Sequence, residues 1–220
     1  MRIAILIFDR LTALDAIGPY EVLSRLPGAE LDFVAAKPGI KRTDTDRLGL
    51  EADRSIAEVP APDVILVPGG QGNRSLLQDE PVLSWLRSAH QGTRYTTSVC
   101  TGALVLGAAG ILDGHRATTH WAYLDRLGSF GAKPTPRRVV EDGKVITAAG
   151  VSSGIDMALQ LAAKLAGEEI AKAIQLGIEY DPDPPFDTGS PDRAPDHLVD
   201  AVRKLEDVSD LAAPATESTT

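Results

Sequence analysis

Four short stretches of nearly unbroken apolar residues constrain the fold more than any other feature of the chain. Ile3–Phe8, Leu31–Ala36, Asp63–Val67 and Val145–Ala148 are each β-rich, and Tyr95–Val99 adds a fifth run richer in hydroxyls. A strand apolar on both faces must be covered on both faces, as in a parallel sheet beneath helices. Helical spacing fills the intervals over Leu14–Leu26, Leu76–His90, Thr101–Ala109 and Ser153–Ala166. The alternation predicts an α/β chain whose doubly wound, mostly parallel sheet is sandwiched by helices. Ligands in such sheets bind beyond the carboxyl ends of the strands.

At 220 residues the chain is long enough for one domain with a full core. That domain is expected to span residues 1–206. Five prolines fall within 181–195, which excludes helix and central strand there and predicts an extended arm. An amphipathic helix, "DHLVDAVRKLEDV", follows, and residues 207–220 read as a flexible tail. A net charge of −9 excludes a broad basic footprint for nucleic acid and argues against anionic lipid. The longest apolar stretch, Ala103–Leu112, is far below membrane-spanning length. The apolar run at the N-terminus closes at Asp9, with no cleavage site behind it. One cysteine excludes an intramolecular disulfide. The expectation is a cytoplasmic chain that binds neither nucleic acid nor membrane.

Three strand ends carry polar punctuation that converges on one rim. "IFDRLTALDAIGP" brings in Asp15, "DVILVPGGQGN" turns through Gly69 and Gly70, and "TTSVCTG" turns through Cys100 and Thr101. A lone cysteine is by default a small buried hydrophobe. At a strand-to-helix corner, however, a side chain is held out of the core, and the following helix start favours the thiolate. Cys100 is therefore read as a nucleophile. Gly69 and Gly70 are either an ordinary tight turn or a backbone that approaches substrate and donates N–H groups to developing charge. Asp15 is either a helix cap or the carboxyl that supplies a proton and activates water.

No histidine follows Cys100, and His120, beside Trp121, is read as structural. The four histidines lie far apart without a cysteine cluster, so no metal site is expected. "PGGQGN" lacks dinucleotide-fingerprint spacing, and no cofactor is expected.

"VILVPGGQG" and "SVCTGALVLGAAGILDGHRATTHW" resemble the signature blocks of the ThiJ/PfpI superfamily, whose flavodoxin-like fold is similar to class I glutamine amidotransferase domains. Within it the chain is most similar to the isocyanide hydratases. "LDAIGPYEVL", "RATTHWAYLD", "AGVSSGIDMALQLA" and "IEYDPDPPFDTGSPDRAP" look like their segments, in order, to about residue 200. The resemblance implies hydration of a small-molecule isocyanide to an N-substituted formamide. It implies Cys100 as nucleophile, Asp15 as acid/base and Thr101 as a required neighbour, in a homodimer with the site near the subunit contact. Asp15 and Thr101 stand where the wider superfamily places glutamate and histidine, which counts against protease and glyoxalase readings. The chemistry fits independently, because a soft thiolate can attack the terminal carbon of R–N≡C without a cofactor. Two alternatives remain: an enzyme acting on a reactive carbonyl, or a non-enzymatic ligand or redox sensor. A DNA-binding sensor is disfavoured by the charge and by the 25 residues after Pro195.

Overall fold

A computed structural model of the protein describes residues 1–205, so the expected tail at 207–220 lies outside the described residues. The chain begins with strand β1 (Arg2–Leu6), helix α1 (Ala13–Leu23) and strand β2 (Glu30–Ala35). Strands β3 (Gly39–Arg42), β4 (Gly49–Ala52), β5 (Arg54–Ser55) and β6 (Val64–Val67) follow. Helices α2 (Asn73–Leu76) and α3 (Glu80–Gly92) lead to strand β7 (Tyr95–Val99) and helix α4 (Gly102–Ala108). Beyond strand β8 (Arg116–Ala117) a 3-10 helix covers Trp121–Phe130. Strands β9 (Lys133–Pro134), β10 (Val139–Asp142) and β11 (Val145–Ala148) come next. Helices α5 (Ser153–Ala166), α6 (Glu168–Gly177) and α7 (Asp196–Leu205) complete the series.

The main sheet has the order β10-β11-β7-β6-β1-β2-β5. Every pairing is parallel except that of β10 with β11, at one edge. The doubly wound architecture implied by the apolar runs is the one observed, and all five expected strands lie inside this sheet. All four residues of β6 and of β11 are buried, because helices cover both faces. Helix α5 packs against both α1 and α6, and α2, α3 and α4 pack on one another; α4 and α5 both reach β7. The α1–α5 contact is close: a Cβ on Gly18 would stand 3.0 Å from Ile155 Cγ1.

The chain starts at β1 in mid-sheet, builds outward through β2 to β5, then returns to lay β6, β7 and β11 on the other side. Strand order therefore reverses between β1 and β6, and the crevice at such a switch point is where ligands sit. The loops after β1, β6 and β7 border it. An antiparallel β3–β4 hairpin inserted ahead of β5 braces the first of these loops. The Arg42 N–H donates to Asp9 Oδ1 at 2.9 Å, the Arg10 N–H to the Arg42 carbonyl at 2.6 Å, and the Asp44 N–H to the Leu11 carbonyl at 2.9 Å. The segment 181–195 contains no helix or strand. Among the described residues no helix is long and apolar enough to cross a membrane.

Candidate active site

Cys100 ends β7 with φ +55°, in the left-handed region that an L-residue occupies only under constraint, at a cost of about 1–3 kcal/mol. Hydrogen bonds on both sides of the residue hold it there, among them one from the Ala103 N–H to its carbonyl at 3.4 Å. Its N–H is shared between the Ala148 and Ala149 carbonyls at 3.1 and 2.9 Å, and its own carbonyl accepts from Thr119 Oγ1 at 2.7 Å. Cys100 is only 6% exposed and packs with the core residues, where the sequence predicts a side chain held out of the core.

Asp15 lies on α1, fully buried beneath the same rim. The Thr12 N–H that leads into this helix donates to the Gly69 carbonyl at 2.9 Å, tying α1 to the loop after β6. Four residues on, Pro19 has no N–H to give the Asp15 carbonyl, so α1 lacks that helical hydrogen bond. Asp15 Oδ2 accepts from the Gly69 N–H at 2.8 Å. Burial away from water raises the Asp15 pKa from 3.8 to about 7. The Gly69 N–H and a hydrogen bond with the Cys100 side chain pull it down, and the Asp44 charge pushes it up. Oδ1 is buried and accepts no hydrogen bond from the described residues.

The two glycines fit this site without slack. A Cβ on Gly69 would stand 2.7 Å from Asp15 Oδ2 and from the Thr101 nitrogen, and 2.8 Å from Cys100 Cβ. Gly70 has φ +128°, and its Cβ would meet the backbone of Arg10 and Thr12 at 2.5 Å. Only glycine satisfies both the conformation and the approach. The sequence marks their N–H groups as candidates for binding substrate. In the folded chain Gly69 N–H serves Asp15, and Gly70 N–H donates to Thr101 Oγ1 at 3.1 Å. Both are engaged inside the protein, so they order the site's own side chains.

The structure thus brings Asp15, Gly69, Gly70, Cys100 and Thr101 together. Two further residues belong to the site and had no sequence signal. Thr119 clamps the Cys100 carbonyl, and buried Asn73 donates from Nδ2 to Thr101 Oγ1 at 3.0 Å. Each is a single polar residue whose role exists only through a tertiary contact. His120 caps the 3-10 helix, its Nδ1 accepting from the Ala122 N–H at 3.4 Å. It packs against Trp121 and Tyr123, and a Cβ on Gly150 would meet its ring at 2.7 Å. Among the described residues no group of three His, Cys, Asp or Glu side chains is placed to hold a metal.

A strained cysteine at a strand-to-helix corner, paired with a buried carboxyl at the sheet's switch point, defines a doubly wound α/β protein with a thiol-centred site. More narrowly, the chain belongs to the DJ-1/PfpI family, which it matches over residues 1–164. It is 48% identical over 204 residues to the isonitrile hydratase of Pseudomonas putida, covering 93% of this chain and 89% of that protein. Among solved structures it superimposes on a ThiJ/PfpI family protein from Pseudomonas syringae with a TM-score of 0.93 and 37% identity. That match covers 96% of this chain and 89% of the other. Oxidized Toxoplasma gondii DJ-1 shares the fold at 24% identity, with a TM-score of 0.73 over 82% of this chain and 99% of its own.

Proposed function

We propose that the protein is an isocyanide hydratase, converting R–N≡C and water to an N-substituted formamide with Cys100 as nucleophile and Asp15 as acid/base. The single observation that carries the reading is the fully buried Asp15 carboxyl, fixed by the Gly69 N–H at 2.8 Å beside the strained Cys100. The similarity to an isonitrile hydratase along nearly the whole chain supports the same substrate class.

The cycle starts from the Cys100 thiolate beside a protonated Asp15. The Cys100 sulfur attacks the terminal isocyanide carbon, forming a C–S bond, and Asp15 delivers its proton to that carbon. The product of this step is a thioimidate, R–N=CH–S. Asp15, now a carboxylate, takes a proton from water as the oxygen adds to the same carbon. The remaining hydroxyl proton ends on nitrogen as the C–S bond breaks. The formamide leaves, sulfur regains its electron pair, and Asp15 holds a proton again. Water and isocyanide are the only reagents consumed.

We further read the working species as a homodimer. Leu14, beside Asp15 on α1, is 40% exposed, and Leu198, Val202 and Leu205 line one exposed apolar edge of α7. The test of the activity is direct. Purified protein incubated with cyclohexyl isocyanide should form the formamide, while methylglyoxal in a parallel reaction should be left unchanged. Turnover of methylglyoxal alone would replace this reading with carbonyl chemistry.

A further inference from the structure

Asn73 stands apart from the thiol–carboxyl pair, yet its amide is built into the same rim. It is fully buried and opens α2. Its backbone is fixed, because its N–H donates to the Gly70 carbonyl at 3.1 Å. Gly72 before it admits no side chain, since a Cβ there would stand 1.9 Å from the Asp9 carbonyl oxygen. From this position Asn73 Nδ2 donates to Thr101 Oγ1 at 3.0 Å, and the Gly70 N–H donates to the same oxygen at 3.1 Å. A hydroxyl has two lone pairs and one proton, whereas amide N–H groups only donate. Both lone pairs of Thr101 are therefore taken. Around a tetrahedral oxygen, Cβ and two incoming donors fill three directions, and the proton occupies the fourth.

The geometry points to Asn73 as a positioning residue: with the Gly70 N–H, it fixes the Thr101 hydroxyl, next to Cys100 in the chain, as an obligatory donor whose proton is turned away from both of them. The Thr101 proton then meets the negative charge that forms as sulfur adds to the substrate carbon. No bond is made or broken at Asn73. Its own Oδ1 accepts nothing among the described residues, so the amide works here through its donor end. The rate consequence rests on the hydratase reading; the hydroxyl's orientation does not.

The experiment is a double-mutant cycle with a direct structural readout beside it. Asn73→Ala removes one donor and lets the hydroxyl turn, and kcat should fall about 10-fold with KM within about 2-fold. Asn73→Asp offers an acceptor that draws the Thr101 proton out of the site, and the fall should approach the roughly 10²-fold typical of a lost transition-state donor. In a Thr101→Val background both changes should alter kcat by less than about 2-fold, because the group they act through is gone. Equal losses in both backgrounds would mean a packing role and would overturn the inference. Should the aspartate variant fail to fold, the alanine variant carries the cycle. Neutron diffraction from deuterium-exchanged crystals of the unaltered protein reads the hydroxyl without any turnover. A Thr101 deuteron directed away from Asn73 and Gly70 supports the assignment, and one lying on Asn73 Oδ1 overturns it. Absence of isocyanide turnover in the unaltered protein would remove the hydratase reading, while the neutron map would still decide the orientation.

Discussion

Asp15 and Gly69 are locked together: the glycine N–H donates to Asp15 Oδ2 at 2.8 Å, and a methyl group at residue 69 would stand 2.7 Å from that oxygen. The same imagined methyl crowds the Thr101 nitrogen and Cys100 Cβ. Gly69→Ala therefore has no neighbour that can yield without moving the site, since two of the three contacts are backbone or Cβ. Activity should fall at least about 10²-fold, as misplacement by an ångström does in catalytic sites. Thermal stability should drop by about 1–3 kcal/mol from the overpacking. Ordinary turnover in Gly69→Ala would mean that the Asp15–Cys100 geometry tolerates slack.

The backbone strain at Cys100 gives a second expectation. Cys100→Ala and Cys100→Gly both remove the sulfur and should both abolish formamide production. They should differ in stability, because glycine occupies a φ of +55° without the penalty that alanine keeps. The glycine variant should unfold later by about 1 kcal/mol in urea titration. Equal midpoints would show that the corner is not strained.

Thr119 makes the strain tolerable from outside the corner. Its hydroxyl donates at 2.7 Å to the Cys100 carbonyl, and Thr119 is buried. Thr119→Val keeps the shape and leaves that carbonyl only the long bond from the Ala103 N–H at 3.4 Å, at about 1 kcal/mol in stability. Turnover should fall along with it, and Thr119→Ser should recover most of both. Failure of serine to rescue would assign Thr119 to packing alone.

The sheet was legible because its strands are read twice, once in β-rich composition and once in the absence of polar alternation. β1, β2, β6, β7 and β11 all follow the expected runs to within a residue or two. The β3–β4 hairpin was not legible: "GIKR" and "GLEA" are mostly half-buried or exposed, with only Ala52 buried, and are too short and polar to stand out. β10 escaped for a related reason, since an edge strand paired on one side needs little apolar content. The residues of the rim were visible as turn chemistry after strands. What their N–H groups serve was not visible, because the partners of Gly69 and Gly70 lie 54 and 31 residues away. Asn73 and Thr119 are common polar residues in ordinary contexts, and only the fold gives them an address.

The titration of Asp15 ties stability to mechanism and gives the sharpest test. Its pKa is raised from 3.8 to about 7 on folding, chiefly by burial, so between these values the folded protein keeps a proton that the unfolded chain has lost. The folded state binds more protons there, and stability must decline as pH rises through that window. At 1.36 kcal/mol per pKa unit, the full shift corresponds to about 4 kcal/mol, fully expressed only above pH 7. Asparagine keeps the shape of the side chain and does not titrate. The stability of Asp15→Asn relative to the unaltered protein should therefore grow from pH 4 to pH 8, measured by urea unfolding at each pH. Turnover should move the opposite way. Asparagine can neither deliver a proton to the isocyanide carbon nor activate water, so the rate should fall roughly 10²–10⁴-fold. In the unaltered protein kcat/KM should decline above about pH 7, as Asp15 gives up its proton, and the residual rate of the asparagine variant should lack that limb. A folded Asp15→Asn protein with near-normal turnover, or with a stability difference flat from pH 4 to 8, would remove Asp15 from the proton pathway.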